Sequence, residues 1–306
     1  MRLSSTLRII AGLGVGLCVA VAAFAASRAP APTGGPARLL GSYEWTDNGQ
    51  PDWFGGFSAL EVGAKGRTVT LLNDRSHLMQ ATIERRGDAI VGITPIATTF
   101  LSSSKGEPLT RRVLDSEGLA QTSNGTLYIS FEGVARVARY SRAAARAQVL
   151  PRPDAFRQLP LNKALEALAI DEQGYLYTIP ERHPVKGQGI AVYRWDGTKW
   201  SRPFDLKPRG KFRAVGADFG PDGRFYLLER DFSVFGFRSR LRRWTLSPTG
   251  PSHEETLLQT DFGEHDNLEG VAIWRDEKQR LRAVLVSDDN FNRFQRTEFV
   301  EYLLPD

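Results

Sequence analysis

Acidic residues recur in this sequence at a spacing that could bring them together. Five similar segments each end on an acid, and these closing acids lie 48 to 59 residues apart: Asp74, Glu132, Glu181, Glu229 and Asp288. Three of the segments also begin with a glutamate, at positions 117, 166 and 269. Carboxylates in such numbers can bind a cation or transfer protons. Which of these two roles the carboxylates can serve depends on how the fold positions them.

The five segments share a common pattern of two short apolar runs separated by a polar turn. They are FSALEVGAKGRTVTLLNDR from Phe57, SEGLAQTSNGTLYISFEG from Ser116, LEALAIDEQGYLYTIPER from Leu165, RAVGADFGPDGRFYLLER from Arg213 and LEGVAIWRDEKQRLRAVLVSDD from Leu268. Runs of about five Val, Ile, Leu, Tyr and Phe residues around such turns are typical of β-hairpins. The best helical candidate, SRAAARAQVL at residues 141–150, is short.

About four strands in every 50 residues, repeated along the chain, predict an all-β fold, a single β-propeller. Residues 38–306 divide into five blades, with a sixth, degenerate blade as the alternative. The last repeat has only three strands, and the strand RLLGSYEWT near residue 40 has no repeat of its own. We therefore expect this N-terminal strand to complete the last blade and close the ring. Hairpin ends then meet on one rim, with the acids around the channel mouth.

A ring of carboxylates must be neutralised by protons, by cationic side chains or by a metal ion. Ca²⁺ or another divalent metal takes several oxygen ligands, and the candidate ligands are Asp74, Glu117, Glu132, Glu166, Glu269, Asp288, Asp289 and Asn290. Alternatively, arginines neutralise the ring, because Arg75, Arg182 and Arg230 directly follow three of the closing acids. The sequence leaves both alternatives open.

The candidate catalytic residues are expected at the same rim. Glu181 and Glu229 could act as metal ligand or base, and His183, close behind Glu181, is a candidate base. Arg75, Arg182 and Arg230 are candidate substrate-binding residues, because a guanidinium group matches phosphate oxygens. The expected substrate is a small anionic molecule or an ester. The sequence has no G-x-S-x-G, H-E-x-x-H or P-loop motif, and we expect no organic cofactor.

The N-terminus predicts export. Residues 1–26 have a basic start, an apolar run and a small-residue end, which is typical of a secretory signal, or of a membrane anchor if uncleaved. Residues 27–37 form a Pro/Gly/Ala-rich linker, and residues 38–306 form the folded domain. The expected location is periplasmic or secreted, and membrane contact is expected only if the segment is uncleaved. Net charge is +5, too mild to indicate nucleic-acid binding, and we expect a monomer.

Several stretches resemble a known family. They are DSEGLA, LEALAID with YTIPER, DFGPDGRFYLLERDF, and DNLEGVAIW with VLVSDDNFNRFQRTEFVEYLL. They are similar to the exported bacterial family described as esterase-like activity of phytase, over nearly all of the chain after residue 40. The resemblance implies a propeller-like β fold and hydrolysis of phosphate or carboxyl esters. Departures from the family pattern include Ala167 in place of glycine and Asp289 in place of asparagine.

Three functions fit these features. The first is an exported hydrolase of phosphate or carboxyl esters, with a divalent metal at the ring and arginines on the substrate. The second is a lactonase-like hydrolase with one metal and a carboxylate base. The third is a non-catalytic propeller that binds a ligand or a protein.

Overall fold

The computed structural model describes residues 35–46, 49, 51–110, 113–181 and 189–306, which belong to one compact unit. The expected signal segment, residues 1–26, lies outside the described residues, and so do Arg182 and His183. None of the helices in the described part is long and apolar enough to cross a bilayer.

The strands form five four-stranded antiparallel sheets, which are the blades of a propeller. Strand β1 (Arg38–Glu44) comes first. Blade 1 contains β2 (Phe57–Val62), β3 (Thr68–Asn73), β4 (His77–Arg86) and β5 (Ala89–Phe100). Blade 2 contains β6 (Ser116–Gln121), β7 (Leu127–Phe131), β8 (Arg136–Tyr140) and β9 (Gln148–Val149). Blade 3 contains β10 (Leu165–Ile170), β11 (Leu176–Pro180), β12 (Ile190–Trp195) and β13 (Trp200–Leu206). Blade 4 contains β14 (Arg213–Phe219), β15 (Phe225–Ser233), β16 (Gly236–Ser247) and β17 (Gly250–Gln259).

Blade 5 closes the ring. It consists of β18 (Leu268–Arg275), β19 (Leu281–Ser287) and β20 (Glu298–Leu303), with β1 as its fourth strand. Strand β1 pairs with β20 from Glu44 opposite Glu298 to Arg38 opposite Leu303. The predicted all-β propeller with five blades and an N-terminal closing strand is thus confirmed.

Helix is almost absent from the described residues. The four-residue helix α1 (Asp154–Arg157) lies between blades 2 and 3. The helix expected at residues 141–150 does not form. That stretch makes a turn and then β9, which pairs with β8 through Val149 opposite Ala138.

The first strand of each blade lines the channel, and each contacts the first strand of the next blade. All five carry a β-bulge near their start. In β10, pairing passes from Leu165 opposite Pro180 to Ala167 opposite Ile179, so Glu166 has no partner across the ladder. The pairing of the first two strands is interrupted at the equivalent residue in every blade, namely at Ser58, Glu117, Glu166, Val215 and Glu269. A bulge re-aims its side chain, so this position can supply groups to the channel mouth.

The residue after each bulged position is alanine or glycine, namely Ala59, Gly118, Ala167, Gly216 and Gly270. A Cβ atom at Gly216 would lie 2.3 Å from the backbone oxygen of Glu269 in the next blade, and one at Gly118 would lie 2.7 Å from that of Glu166. The inner strands therefore approach too closely for larger side chains. This approach explains the E-G pairs in the sequence.

Blade 4 contains a fully buried carboxylate between two arginines. Oε2 of Glu229 accepts hydrogen bonds from Nε of Arg240 (2.9 Å) and Nε of Arg242 (2.7 Å). Its Oε1 accepts a third from Nη2 of Arg242 (2.6 Å). Both Glu229 and Arg242 have no exposed side-chain surface. These bonds occupy both oxygens of Glu229, so its geometry is that of a buried structural ion pair.

We predict that Glu229→Gln lowers the free energy of unfolding by about 3 kcal/mol, because it leaves two buried guanidinium groups without their full counter-charge. Urea denaturation measures the change. The matched control is Glu277→Gln, which removes an exposed pair with Arg67 and should cost less than about 0.5 kcal/mol. Equal stabilities of the two variants would contradict a structural role for Glu229.

A carboxylate ring at the channel mouth

The upper rim is built from residues that close the first hairpin of each blade. The backbone N–H groups of Asp74, Glu132, Glu181 and Asp288 donate to the carbonyl groups of Gly56, Asp115, Ala164 and Asn267, respectively. Together with the three bulged glutamates and with Asp115, whose carbonyl group accepts from Glu132, this arrangement collects eight carboxyl groups. We call them the carboxylate ring: Asp74, Asp115, Glu117, Glu132, Glu166, Glu181, Glu269 and Asp288.

In blade 4 the closing position holds an arginine. Arg230 pairs with Arg213 there, and Glu229 pairs with Ala214 one step further down. Aligning the repeats by sequence placed Glu229 at the rim, one residue out of register. A shift of one residue turns a strand side chain to the opposite face. Glu229 is therefore held by arginines inside the blade, and the structure does not bring it to the carboxylate ring.

The ring is crowded enough to hold protons at neutral pH. Burial, and then the neighbouring carboxylates, raise the pKa values of Glu117, Glu166 and Asp288 well above the usual carboxyl range. Burial also raises the pKa values of Asp74 and Glu132 to about 7. The side chains of Glu132 and Glu166 share a hydrogen bond, which raises the pKa of Glu166 and lowers that of Glu132. Glu166 is therefore the proton donor of this pair.

Cationic groups approach the ring from the side of blades 3 and 4. Nη1 of Arg230 contacts Oε1 of Glu269, and its Nη2 lies 3.7 Å from Oε1 of Glu181. Nη1 of Arg213 donates to the same Oε1 at 3.1 Å, and Nζ of Lys163 lies 3.4 Å from Oε2 of Glu181. Burial lowers the pKa of Arg230, but the surrounding carboxylates outweigh this effect and raise it overall. One side of the ring is thus neutralised by protein cations.

The part of the ring in blade 2 offers a cluster of oxygen ligands. Carboxylate oxygens of Asp115, Glu117 and Glu132 lie within 4.8 Å of one another. None of the ion pairs made by the described residues reaches these three carboxylates. Oδ1 of Asp74 is buried and has no hydrogen-bond partner among the described residues. Hard oxygen ligands of this kind fit Ca²⁺ or Mg²⁺ rather than a soft metal.

A cavity of about 610 Å³ opens beside the cationic side of the ring. Four cationic side chains line it, together with two acids, two amides and two aromatic rings: Lys163, Lys211, Arg213, Arg230, Glu181, Asp231, Asn267, Asn290, Phe232 and Phe237. The excess of cations suits an anionic molecule.

Other residues expected at the site lie next to the ring. Oδ1 of Asp289 accepts the backbone N–H groups of Gly56 and Phe291, both at 2.9 Å, and its Oδ2 accepts the hydroxyl of Thr297 at 2.8 Å. Asp289 thus fixes the loop after β19. The guanidinium of Arg75 lies 3.2 Å from the centroid of the Phe291 ring. Arg75 also lines a second, separate cavity of about 460 Å³ at the rim.

The structure also adds residues that the sequence pattern did not indicate. Asp115 joins the ring, and Lys163, Lys211, Arg213 and Asn267 line the cavity. A signal for Asp115 was present, because it stands two residues before the bulged glutamate of its blade, as Asn267 does in blade 5. The lysines lie in irregular connections, where no repeat marks them.

Solved structures of other proteins share the fold. The α-L-arabinofuranosidase PaAbf62A from Podospora anserina, solved with cellotriose, is 14% identical, with a TM-score of 0.52, over 90% of this chain and 98% of its own. The catalytic domain of a Coprinopsis cinerea GH62 α-L-arabinofuranosidase is 12% identical, with a TM-score of 0.50, over the same shares of the two chains. A Xanthomonas campestris gluconolactonase is 14% identical, with a TM-score of 0.48, over 91% of this chain and 99% of its own. At these identities the likeness to the two arabinofuranosidases shows the fold alone.

Sequence comparison identifies the family. No protein with a curated description matches the sequence. One family profile covers residues 52–291, a span that includes all eight acids of the carboxylate ring. The chain therefore belongs to the Phytase-like family, described as "Esterase-like activity of phytase".

Proposed function

We propose that this protein is an exported hydrolase of phosphate or carboxyl esters that carry negative charge. The observation that carries the proposal is the position of the carboxylate ring directly beside a cation-lined cavity. The family description names an esterase-like activity, and the N-terminal sequence pattern supports export. Such a site can hold the anionic part of a substrate next to groups that activate water.

The residues suited to hold a divalent metal are Asp115, Glu117 and Glu132. A metal bound there would polarise an ester oxygen and lower the pKa of a bound water. Without such a charge, burial raises the pKa of Glu117 well above the usual carboxyl range and that of Glu132 to about 7. Metal binding would therefore release protons from the ring.

Two other ring acids suit proton transfer. Asp74 has a pKa of about 7 and a buried oxygen without a hydrogen-bond partner, so it can accept a proton from an attacking water. Burial, and then the charge of Glu132, raise the pKa of Glu166 well above the usual carboxyl range, so Glu166 suits the donation of a proton to the departing ester oxygen. General acid–base catalysis needs a base whose pKa lies near the working pH and an acid whose pKa lies higher.

The cavity cations would bind the anionic part of the ester. Arg213 and Lys211 line the cavity, and Lys211 is exposed there. Arg230 bridges the cavity and the ring through Glu269 and Glu181. Because Arg230 contacts both places, a substrate bound in the cavity would lie next to the ring acids. This arrangement supports the hydrolase over the lactonase-like alternative, which needs no rim arginine.

We predict that Asp74→Asn lowers kcat by roughly 100-fold or more with little change in KM, because it removes the base and leaves the cavity intact. The assay uses p-nitrophenyl phosphate and p-nitrophenyl acetate with Ca²⁺ or Mg²⁺. The control is Glu277→Gln, an exposed acid between β18 and β19 on the opposite face. No turnover by the unaltered protein with either ester and either metal would refute the proposed activity.

We predict that Lys211→Ala raises KM for p-nitrophenyl phosphate by roughly tenfold, with kcat nearly unchanged, because it removes a cation from the cavity and leaves the ring untouched. The uncharged acetate ester should show no such increase. Equal effects on the two substrates would contradict the assignment of this lysine to an anionic group.

We predict that about 1 mM Ca²⁺ raises the melting temperature by about 5 °C over the value in EDTA, because a ligand that binds only the folded state stabilises it. Thermal denaturation of the full chain measures the shift. Glu117→Gln should abolish it, whereas Glu277→Gln should retain it. A rise that persists in Glu117→Gln would place the ion elsewhere.

The metal-free protein should lose stability as pH rises. Asp74 and Glu132 have ordinary pKa values of 3.8 and 4.5, and folding raises both to about 7. The folded state then binds more protons than the unfolded state in this window, so stability falls between about pH 4 and pH 7. Melting temperatures in EDTA from pH 5 to pH 8 test this. The double variant Asp74→Asn, Glu132→Gln should flatten the profile, and a slope as steep as that of the unaltered protein would show that these two acids are not its cause.

A further inference from the structure

One hairpin projects beyond the rim of the propeller. In blade 1 the chain turns back directly after the closing position, since β4 begins three residues after Asp74. In blade 4 the β15–β16 ladder continues past Arg230 for three more pairs: Asp231 with Arg238, Phe232 with Phe237 and Ser233 with Gly236. Three extra residues per strand extend the hairpin by about 10 Å.

The tip of this hairpin is apolar and exposed. Val234 is 92% exposed, Phe235 is 77% exposed and Phe232 is 66% exposed. Val234 and Phe235 form the turn, a position that favours Gly, Asn, Asp or Pro. Neither has a positive φ, so the backbone geometry of the turn does not explain why two large apolar residues stand there. Their apolar surface is left for a contact outside the described chain.

A second apolar point lies on the same face. Phe294 is 79% exposed and lies in the loop between β19 and β20, the counterpart in blade 5 of the turn between β15 and β16. The guanidinium of Arg293 lies 4.8 Å from the centroid of its ring. Lys211 lines the cavity on this face. Two apolar points and nearby cations thus surround the channel mouth.

We propose that this face docks on an anionic lipid surface, with Val234, Phe235 and Phe294 entering the headgroup region. Lys211 and Arg293 then face the lipid phosphates. Exposed apolar residues with adjacent cations are the features that bind proteins to the membrane interface. The proposal does not rest on the hydrolase activity, because it uses the surface around the mouth and none of the ring acids.

The size and charge of the surface favour lipid over a protein partner. A stable protein interface buries roughly 800 Å² on each side, whereas the hairpin tip and Phe294, the exposed apolar points described here on this face, are small and separate. Asp231 on the hairpin is neutralised by Arg238 at 2.8 Å. Asp261 and Glu264 are also exposed, in the loop before β18, so the attraction to anionic lipid comes from the exposed cations Lys211 and Arg293.

The test places a fluorescent probe on the tip of the full chain. Cys18 is the only cysteine, so Cys18→Ser with Val234→Cys allows a single NBD label. The control is Cys18→Ser with Thr249→Cys, in the turn between β16 and β17 at the far end of the same sheet. Vesicles contain phosphatidylcholine, about 30 mol% phosphatidylglycerol and doxyl-labelled lipid as quencher. The N-terminal apolar segment is common to both proteins, so only the label position differs.

We expect vesicles to shift the emission of the label at position 234 to the blue, with at least about threefold more quenching than at position 249. Equal quenching at the two positions would overturn the proposal. A blue shift that grows with protein concentration in the absence of vesicles would overturn it in favour of self-association. Quenching that is unchanged without phosphatidylglycerol would overturn the requirement for anionic lipid.

Discussion

Five inner strands meet around one narrow axis, and the rest of the molecule depends on that crowding. Where neighbouring strands come closest, only Gly fits, because a Cβ atom at Gly216 would lie 2.3 Å from the backbone oxygen of Glu269. A bulge directly before this point interrupts the ladder and re-aims one side chain per blade. Three of these side chains are glutamates: Glu117, Glu166 and Glu269. Packing at the axis and chemistry at the rim therefore have a common origin.

The charge at the mouth is divided between two kinds of neutralisation. On the side of blades 3 and 4, guanidinium and ammonium groups reach Glu181 and Glu269. On the other side, carboxyl groups face one another, and burial raises their pKa values. A carboxylate cluster with cations on one flank alone favours an anion on that flank and a proton or metal ion on the other. Arginine pairing, one of the two alternatives that the sequence left open, is thus found on one part of the ring, while another part keeps a cluster of carboxylates that could hold a metal ion.

The repeat was sufficient to predict five blades, the closing strand and a rim of acids, because period and hairpin pattern are local properties of the sequence. The register was harder to predict, because LLER and TIPER look alike although the closing position is Arg230 in one and Glu181 in the other. A shift of one residue in the alignment of the repeats decides whether Glu229 is placed at the rim or in a buried ion pair. The alanine-rich stretch at residues 141–150 failed as a helix because pairing with β8 outweighs helix propensity there. Lys163 and Lys211 were beyond prediction, since only the closed ring brings their loops together.

The closing strand also sets the order of events during synthesis. Strand β1 is made first, yet its hydrogen-bond partner β20 is made last, about 260 residues later. Until β20 has left the ribosome, β1 has no strand to pair with, and blade 5 contains at most β18 and β19. A ring of this kind cannot finish folding while translation continues, and contacts so distant in sequence slow the final step. The carboxylate ring, which draws residues from blades 1 and 5, is complete only after that closure.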